Sequence, residues 1–385
     1  MDQLLGDLRG ILPKGRILLG EPMSRHTTFQ IGGGADYFVK PCSVDELRRV
    51  VGACRAADVP YCVLGKGSNM LVSDAGYRGV VIDMGMFDGV VVGDVAYAPG
   101  VSDGGAYNAA AANPVSDGAA EKAAATKPTA AGRAENEAVS NPASDSGAKN
   151  AAAAKPAGMP NGARVSGGLF ATAAHDKADE VRIIGGAGLT LSRLTALATA
   201  RGLSGLEFAA GIPGTLGGAT VMNAGAYGCE MKDVLTGAVV LTKEGEVLEL
   251  DAKALRLGYR SSCVAEQGYI VLEAILSLHR GDPAAIRERI RELTESRKEK
   301  QPISLPSAGS TFKRPKEGYA AKLIEDAGMR GARVGGAQVS EKHCGFVVNV
   351  GDATAADVIA LCTQVEEAVM ERFGVALELE IKVIG

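Results

Sequence analysis

Between about Ala96 and Ala178 the chain almost stops offering large apolar side chains. The run "AYNAAAANPVSDGAAEKAAATKPTAAGRAENEAVSNPASDSGAKNAAAAKP" is built from Ala, Gly, Ser, Asn, Pro and charges. Such a composition buries too little surface to offset the entropy of ordering the backbone. Short Ala-rich helices in isolation are marginal in water. The segment therefore reads as a flexible, low-complexity insertion, and the core must come from the residues on either side of it. A surface loop of this length is tolerable because closure entropy grows only with the logarithm of length. A tether or a partner site is conceivable for it, with neutral drift as the plainer alternative.

The flanking regions carry regular patterns. "ADYFVKP", "YCVLGKGSNMLV" and "GVVIDM" read as strands, and "SVDELRRVVGACRAADV" as an amphipathic helix with Ser43 as its cap and Glu46 as capping-box partner. Beyond the insertion, "VRIIGGAGLTLSRLTALATARG" predicts a strand, a glycine turn and a helix starting near Thr190. "VLTGAVVLT" and "VLEL" follow as strands, then a helix over 283–299, a helix at "YAAKLIEDAG", a strand at "CGFVVNV", a helix at "TAADVIALCTQVEEAVMERF" and a last strand in "VALELEIKVIG". The expected class is α+β, without the regular cadence of a doubly wound fold.

Charge and cysteine usage remove several function classes. A net charge of −4 over 385 residues gives no concentrated cationic face for nucleic acid. The one basic cluster, Arg289 to Lys300, interleaves glutamates at helical spacing and reads as a solvated helix face. Seven cysteines without a C-x-x-C pair argue against a disulfide scaffold or a zinc ribbon, and no metal site is expected. No apolar run approaches the ~20 residues of a membrane span, and the start lacks a signal peptide's pattern, so a cytoplasmic protein is expected.

Two glycine-rich stretches suggest a ligand pressed against main chain. In "LGKGSNMLVSD", Gly65, Lys66, Gly67, Ser68 and Asn69 form a turn between strands whose N–H groups and serine hydroxyl could cradle a pyrophosphate. The turn is neither a Walker A loop nor a G-x-G-x-x-G turn. "AAGIPGTLGGATVMNAGAYG" suits a large planar group lying on backbone, although each stretch alone is equally compatible with close loop packing. Ser310, in "PSAGSTFKRP", is by itself a turn residue, a nucleophile, a phosphate ligand or a proton donor. In "LELEIKVIG", strand periodicity would point Glu378 and Glu380 the same way and does not choose between them.

Together "HTTFQIGGGADYFVKP", "LGKGSNMLVSDAGYRGVVI", "GLEFAAGIPGTLGGATVMNAGAYG", "LGYRSS", "PSAGSTFKRP" and "GAQVSEKHCGFVVNVGDATAADVIAL" resemble the UDP-N-acetylenolpyruvoylglucosamine reductase (UDP-N-acetylmuramate dehydrogenase) family, in that family's order and over nearly the whole chain outside the insertion. The short segment between "GYRSS" and "SAGSTF" resembles its compact second type. The resemblance implies an FAD domain of the vanillyl-alcohol-oxidase type over 1–245, interrupted by the insertion at 96–178. A smaller substrate domain would occupy 246–385, its last strand returning towards the first domain. It implies noncovalent FAD held by Gly65, Lys66, Gly67, Ser68 and Asn69 and by Gly211, Ile212, Pro213, Gly214, Gly217, Gly218 and Ala219. NADPH would be the reductant and a UDP-sugar the substrate, for a cytoplasmic monomer in peptidoglycan synthesis.

By the same resemblance Arg260 is the catalytic arginine, Ser310 the proton donor, and Glu380, which precedes the ending "V-x-x-I-G", the catalytic acid. Asn223, Tyr227, Tyr259 and Lys313 would meet substrate, Lys313 at the diphosphate. Arg314 stands where some relatives carry Asn, Gln30 where Arg is frequent and Cys229 where Gly is frequent. Two other readings share the scaffold: a different FAD-dependent oxidoreductase, and a non-catalytic flavin-binding partner in cell-wall synthesis. The joint presence of Arg260, Ser310 and Glu380 argues against both.

Overall fold

A computed structural model describes residues 2–93, 95–97, 163–165 and 179–385. The N-terminal part begins with α1 (Asp2–Ile11), whose Leu4 and Leu8 are buried. A four-stranded sheet follows, made from β1 (Ile17–Pro22), β2 (Gly34–Val39), β3 (Tyr61–Leu64) and β5 (Tyr77–Asp83) in the order β1-β2-β5-β3. The last three strands run parallel, because α2 (Val44–Ala56) carries the chain from β2 to β3. α2 buries Leu47, Val50, Val51 and Cys54, one helical stripe, and the Ser43 hydroxyl accepts from Glu46 N–H as expected. The Glu46 carboxylate, however, does not return to its cap. It accepts from both Arg16 terminal nitrogens at 2.6 Å and from Cys42 N–H, because a guanidinium within reach is a stronger partner than a neutral amide.

The larger sheet is antiparallel throughout. Its order is β7-β6-β9-β15-β13-β14-β8, from β6 (Val90–Val92), β7 (Val95–Tyr97), β8 (Ala163–Val165), β9 (Glu180–Gly186), β13 (Leu235–Leu241), β14 (Val247–Asp251) and β15 (Ile270–Arg280), with β10 (Leu203–Ser204) beside β15. β15 lies at its centre and is buried from Ile270 to Leu276. Within the span read as an insertion, two short strands are described, β7 pairing with β6 and β8 with β14. The remainder of that expectation lies outside the described residues. Around the sheet sit α3 (Leu191–Ala200) and α4 (Leu216–Met222), capped by Thr190 and Thr215. There follow a small ribbon of β11 (Gly225–Ala226) and β12 (Cys229–Glu230), the short helices α5 (Ala252–Leu255) and α6 (Cys263–Gln267), and α7 (Pro283–Lys300). The domain break expected at 245/246 falls in the hairpin between β13 and β14, so the sheet continues through Arg280.

A third group joins α8 (Ala320–Asp326), α9 (Ala355–Phe373) and the meander β16 (Arg333–Val334), β17 (Ala337–Val339) and β18 (Val347–Asn349). Its core of Ile324, Val339, Val347, Leu361 and Val365 also takes in Phe29, Ile31 and Leu71 from the N-terminal part. Asp74 strengthens that junction, accepting from the Ala355 and Ala356 N–H groups at the start of α9. The chain then returns. β19 (Lys382–Ile384) pairs in parallel with β4 (Met70–Val72), the strand that leaves the first glycine turn. The segment before it, read from the sequence as one continuous strand, contributes only an isolated bridge between Phe312 and Leu379.

Candidate active site

β3 delivers the chain into the turn Gly65–Asn69, and β4 takes it away. Gly67 has φ +59, and a Cβ there would stand 2.2 Å from the His26 carbonyl oxygen, so only glycine lets the two segments touch. The second glycine-rich stretch starts at Gly211 and opens into α4. Gly217 packs so closely on Ala187 that a Cβ would lie 2.7 Å from the alanine Cβ. The two stretches lie against each other, a Cβ on Gly65 standing 2.5 Å from Thr215 Oγ1, and together they line a cleft of about 1110 Å³. Gly65, Lys66, Gly67, Ser68 and Asn69 line it, and so do Gly211, Ile212, Pro213, Gly214, Gly217, Gly218 and Ala219. A smaller recess of about 390 Å³ adjoins it and shares Thr28, Gly65 and Lys66.

The opposite wall carries charge. Arg260 sits in a tight turn closed by hydrogen bonds between Gly258 and Ser261, with φ +52, a strained value for an arginine. Its Nε donates to Glu380 Oε1 at 2.5 Å, and the residue lines the cleft. The Glu380 backbone is held by two contacts, and a third fixes the residue two further on. Its N–H donates to the Thr311 carbonyl, its carbonyl accepts from Asn69 Nδ2, and Lys382 N–H donates to the Asn69 carbonyl. One asparagine of the first glycine turn therefore fixes the backbone that carries the acid. Ser310 is set by its neighbour, since Thr311 donates its N–H to Gly345 and accepts from Val347 N–H on its hydroxyl. Arg260, Ser310 and Glu380, distant in sequence, line the same cleft.

Burial pushes the Glu380 carboxyl above its ordinary value, against the opposing pull of Arg260, Lys313 and Tyr259. The structure also separates it from Glu378. The Glu380 side chain is 10% exposed, whereas that of Glu378 is 74% exposed and pairs with Lys313 at 2.9 Å. The period-two argument fails here because residues 378–380 belong to no continuous strand.

The four residues expected at substrate are placed differently. Tyr227 lines the cleft and donates its hydroxyl to the Leu293 carbonyl at 2.8 Å. Tyr259 lies beside it rather than in its wall, under the Arg260 guanidinium at 5.1 Å, accepting from Arg314 N–H. Lys313 is likewise outside the lining, engaged by Glu378. Asn223 lies outside the lining, between Met222 and Ala224, which are in it. It is 0% exposed, donates to Glu230 and to the Gly258 carbonyl, and accepts from Lys232 N–H. With its amide spent, it braces the turn that aims Arg260 and does not reach the cleft.

The sequence reading missed two residues. Thr28 borders both recesses and donates its hydroxyl to the Ser307 carbonyl at 2.6 Å, tying the N-terminal part to the serine loop. Arg297, read as part of a solvated helix face, lines the cleft. The signal was present: Ile286 and Leu293 are the buried residues of α7, and Arg297 follows Leu293 by one helical turn.

Comparison with known proteins agrees with this architecture. The family model described as "FAD binding domain" matches residues 35–117 and 167–251, and that described as "UDP-N-acetylenolpyruvoylglucosamine reductase, C-terminal domain" matches 301–384. The UDP-N-acetylenolpyruvoylglucosamine reductase of Lachnoclostridium phytofermentans is 40% identical over 382 residues, covering 99% of this chain and 97% of that one. The protein of the same name from Agathobacter rectalis is 42% identical, over 97% of this chain and 96% of its own. The chain belongs to the UDP-N-acetylenolpyruvoylglucosamine reductase family. A solved reductase of this family from Thermus caldophilus superimposes with a TM-score of 0.63 at 28% identity, over 96% of this chain and 98% of that one. FAD fits what a member of the reductase family needs here. Gly65, Gly67, Gly211, Gly214, Gly217 and Gly218 open backbone to a flat ring along the lining, and Arg297 adds a cation whose Nε has no hydrogen-bond partner.

Proposed function

We propose that this chain reduces the enolpyruvyl ether of UDP-N-acetylglucosamine enolpyruvate to UDP-N-acetylmuramate, with NADPH as reductant, in the synthesis of peptidoglycan precursors. Bound FAD supplies the hydride carrier between nicotinamide and the terminal carbon of the substrate. The protein's part is to hold the other end of the double bond. Arg260 spends its Nε on Glu380, and its terminal nitrogens remain able to grip the substrate carboxylate end-on through two parallel hydrogen bonds. Hydride arrival leaves carbanion-like charge on the adjacent carbon, delocalised into that carboxylate. Glu380, which burial favours in its protonated form, donates a hydrogen bond to the enolate-like oxygen. The Ser310 hydroxyl delivers the proton to carbon.

The observation that carries this reading is the convergence of Arg260, Ser310 and Glu380 on one cleft whose other wall is glycine backbone. The glycine-rich stretches before about residue 245 are the FAD-holding part, and the group containing Ser310 and Glu380 the substrate-holding part, of a cytoplasmic monomer. Among the described residues no helix is long and apolar enough to cross a membrane. One anaerobic cycle tests the reading. The visible flavin band is expected to bleach with NADPH and to return when UDP-N-acetylglucosamine enolpyruvate is added. Bleaching without return would rule out this substrate.

A further inference from the structure

Most of α7 is a solvated helix, with Arg289 paired to Glu292 and Arg291 to Glu288 on its outer face. Arg297 breaks that pattern. It donates Nη1 to the Gly211 carbonyl at 2.5 Å, and its guanidinium lies 6.0 Å from the centre of the Tyr227 ring. Its Nε is the one buried side-chain nitrogen or oxygen, among the described residues, that has no hydrogen-bond partner. A buried donor of a charged group without an acceptor is costly, and this one belongs to a cation that lines the cleft, so a ligand that draws the guanidinium towards the cleft would relieve it.

Position narrows the choice of acceptor. Gly211 lies within the segment that the FAD-binding family model covers, whereas Arg297 falls between the two matched regions. α7 leads directly into residues 301–310, all of which line the cleft and which end on Ser310. Hydride and proton reach adjacent carbons, so the reactive ring of the cofactor must lie close to Ser310. Arg297 thus heads the stretch of lining that ends on Ser310, while Thr28, Gly65 and Lys66 border the smaller recess as well.

We infer that Arg297 is a ligand of the flavin ring of bound FAD and that its charge raises the cofactor's reduction potential. The inference rests on the reductase reading, and it adds a cation that favours the electron-rich reduced ring over the oxidised one. Losing a tenfold preference for the reduced state would lower a two-electron potential by about 30 mV.

The test uses holoenzyme with Arg297→Gln and Arg297→Lys, measuring FAD dissociation and, at saturating FAD, the midpoint potential. Arg297→Gln is expected to weaken FAD at least tenfold and to lower the potential by about 30 mV or more. Arg297→Lys keeps the charge but not the planar Nε donor, so it should weaken FAD while keeping most of the potential. Weaker FAD with an unchanged potential in Arg297→Gln would reduce Arg297 to a brace for Gly211 and overturn the inference. An effect confined to the KM for the UDP-sugar would overturn it in favour of a substrate contact. If Arg297→Gln fails to fold, Arg297→Lys decides, and FAD binding as tight as in the unaltered protein would overturn it. An unaltered protein that took up no FAD would instead remove the reductase reading itself.

Discussion

The two walls of the cleft meet a ligand by opposite means. The glycine wall, from Gly65 to Asn69 and from Gly211 to Ala219, presents much backbone, and at Gly65, Gly67 and Gly217 its shape depends on approaches too close for any Cβ. The facing wall presents Arg260, Ser310 and Glu380, and depends on side chains whose charge and orientation are set by loops further away. Recognition by backbone tolerates few substitutions but has no titratable part. Recognition by side chain can be disabled chemically while the shape survives. Cofactor retention and substrate chemistry are therefore expected to separate under mutation.

The largest expected effect is on the charged wall. Ser310→Ala should retain FAD and its reduction by NADPH, while substrate-dependent reoxidation slows by about 10²–10⁴ in stopped-flow absorbance. Normal reoxidation would remove Ser310 from the proton-donor role. On the other wall, Gly67→Val places a Cβ at φ +59 against the His26 carbonyl. With strain on the order of 1–3 kcal/mol, FAD should bind roughly tenfold to a hundredfold more weakly in a fluorescence titration. Should Gly67→Val keep its cofactor and Ser310→Ala lose it, the division between the walls would be wrong.

Glu46→Gln serves as a control remote from both walls. Hydrogen bonding to Arg16 holds the Glu46 carboxyl down to about 2. A depressed carboxylate adds stability above its unfolded value, near 4.5, and loses it as pH falls towards 2. Glu46→Gln should therefore be less stable at neutral pH by about 1–2 kcal/mol after solvent screening. Urea midpoints of the two proteins should converge near pH 2, with both half-reactions unchanged where the fold is intact; a gap that persists there would exclude the Arg16 pairing as its source. The smallest effect belongs to Lys313→Ala. Its partner Glu378 is exposed, and such pairs contribute little, so KM for the UDP-sugar should rise roughly fivefold at most. A much larger rise would bring Lys313 back as a diphosphate ligand.

Local patterns were legible where each element's signal lies within itself. Ser43 and Thr190 cap the helices expected from them, and β13 and β14 occupy the runs that suggested strands. β15 went unread because "YIVLEAILSL" is apolar without alternation, and a fully buried strand has no period to detect. Both glycine stretches announced themselves by composition, yet nothing local could say that they share a cleft. The setting of the Asn223 amide was not legible for a related reason: its partners, Glu230, Lys232 and Gly258, come together only in the fold. Glu380 was chosen by likeness to a family, and the choice makes physical sense only once Thr311 and Asn69 are seen to hold it.

The pairing of β4 with β19 sets a clock. Residues 70–72 and residues 382–384 are joined across almost the whole chain, whereas β2 and β3 each reach β5 over short sequence distances. Contacts of such separation form late, since the entropy of closing the intervening chain must be met before they stabilise anything. Glu380 acquires its position only at that step. After dilution from urea with FAD present, far-ultraviolet circular dichroism should recover first and turnover later, and simultaneous recovery would show that the two strands meet early. If the lag is found, a chain with full secondary structure can still lack an active site.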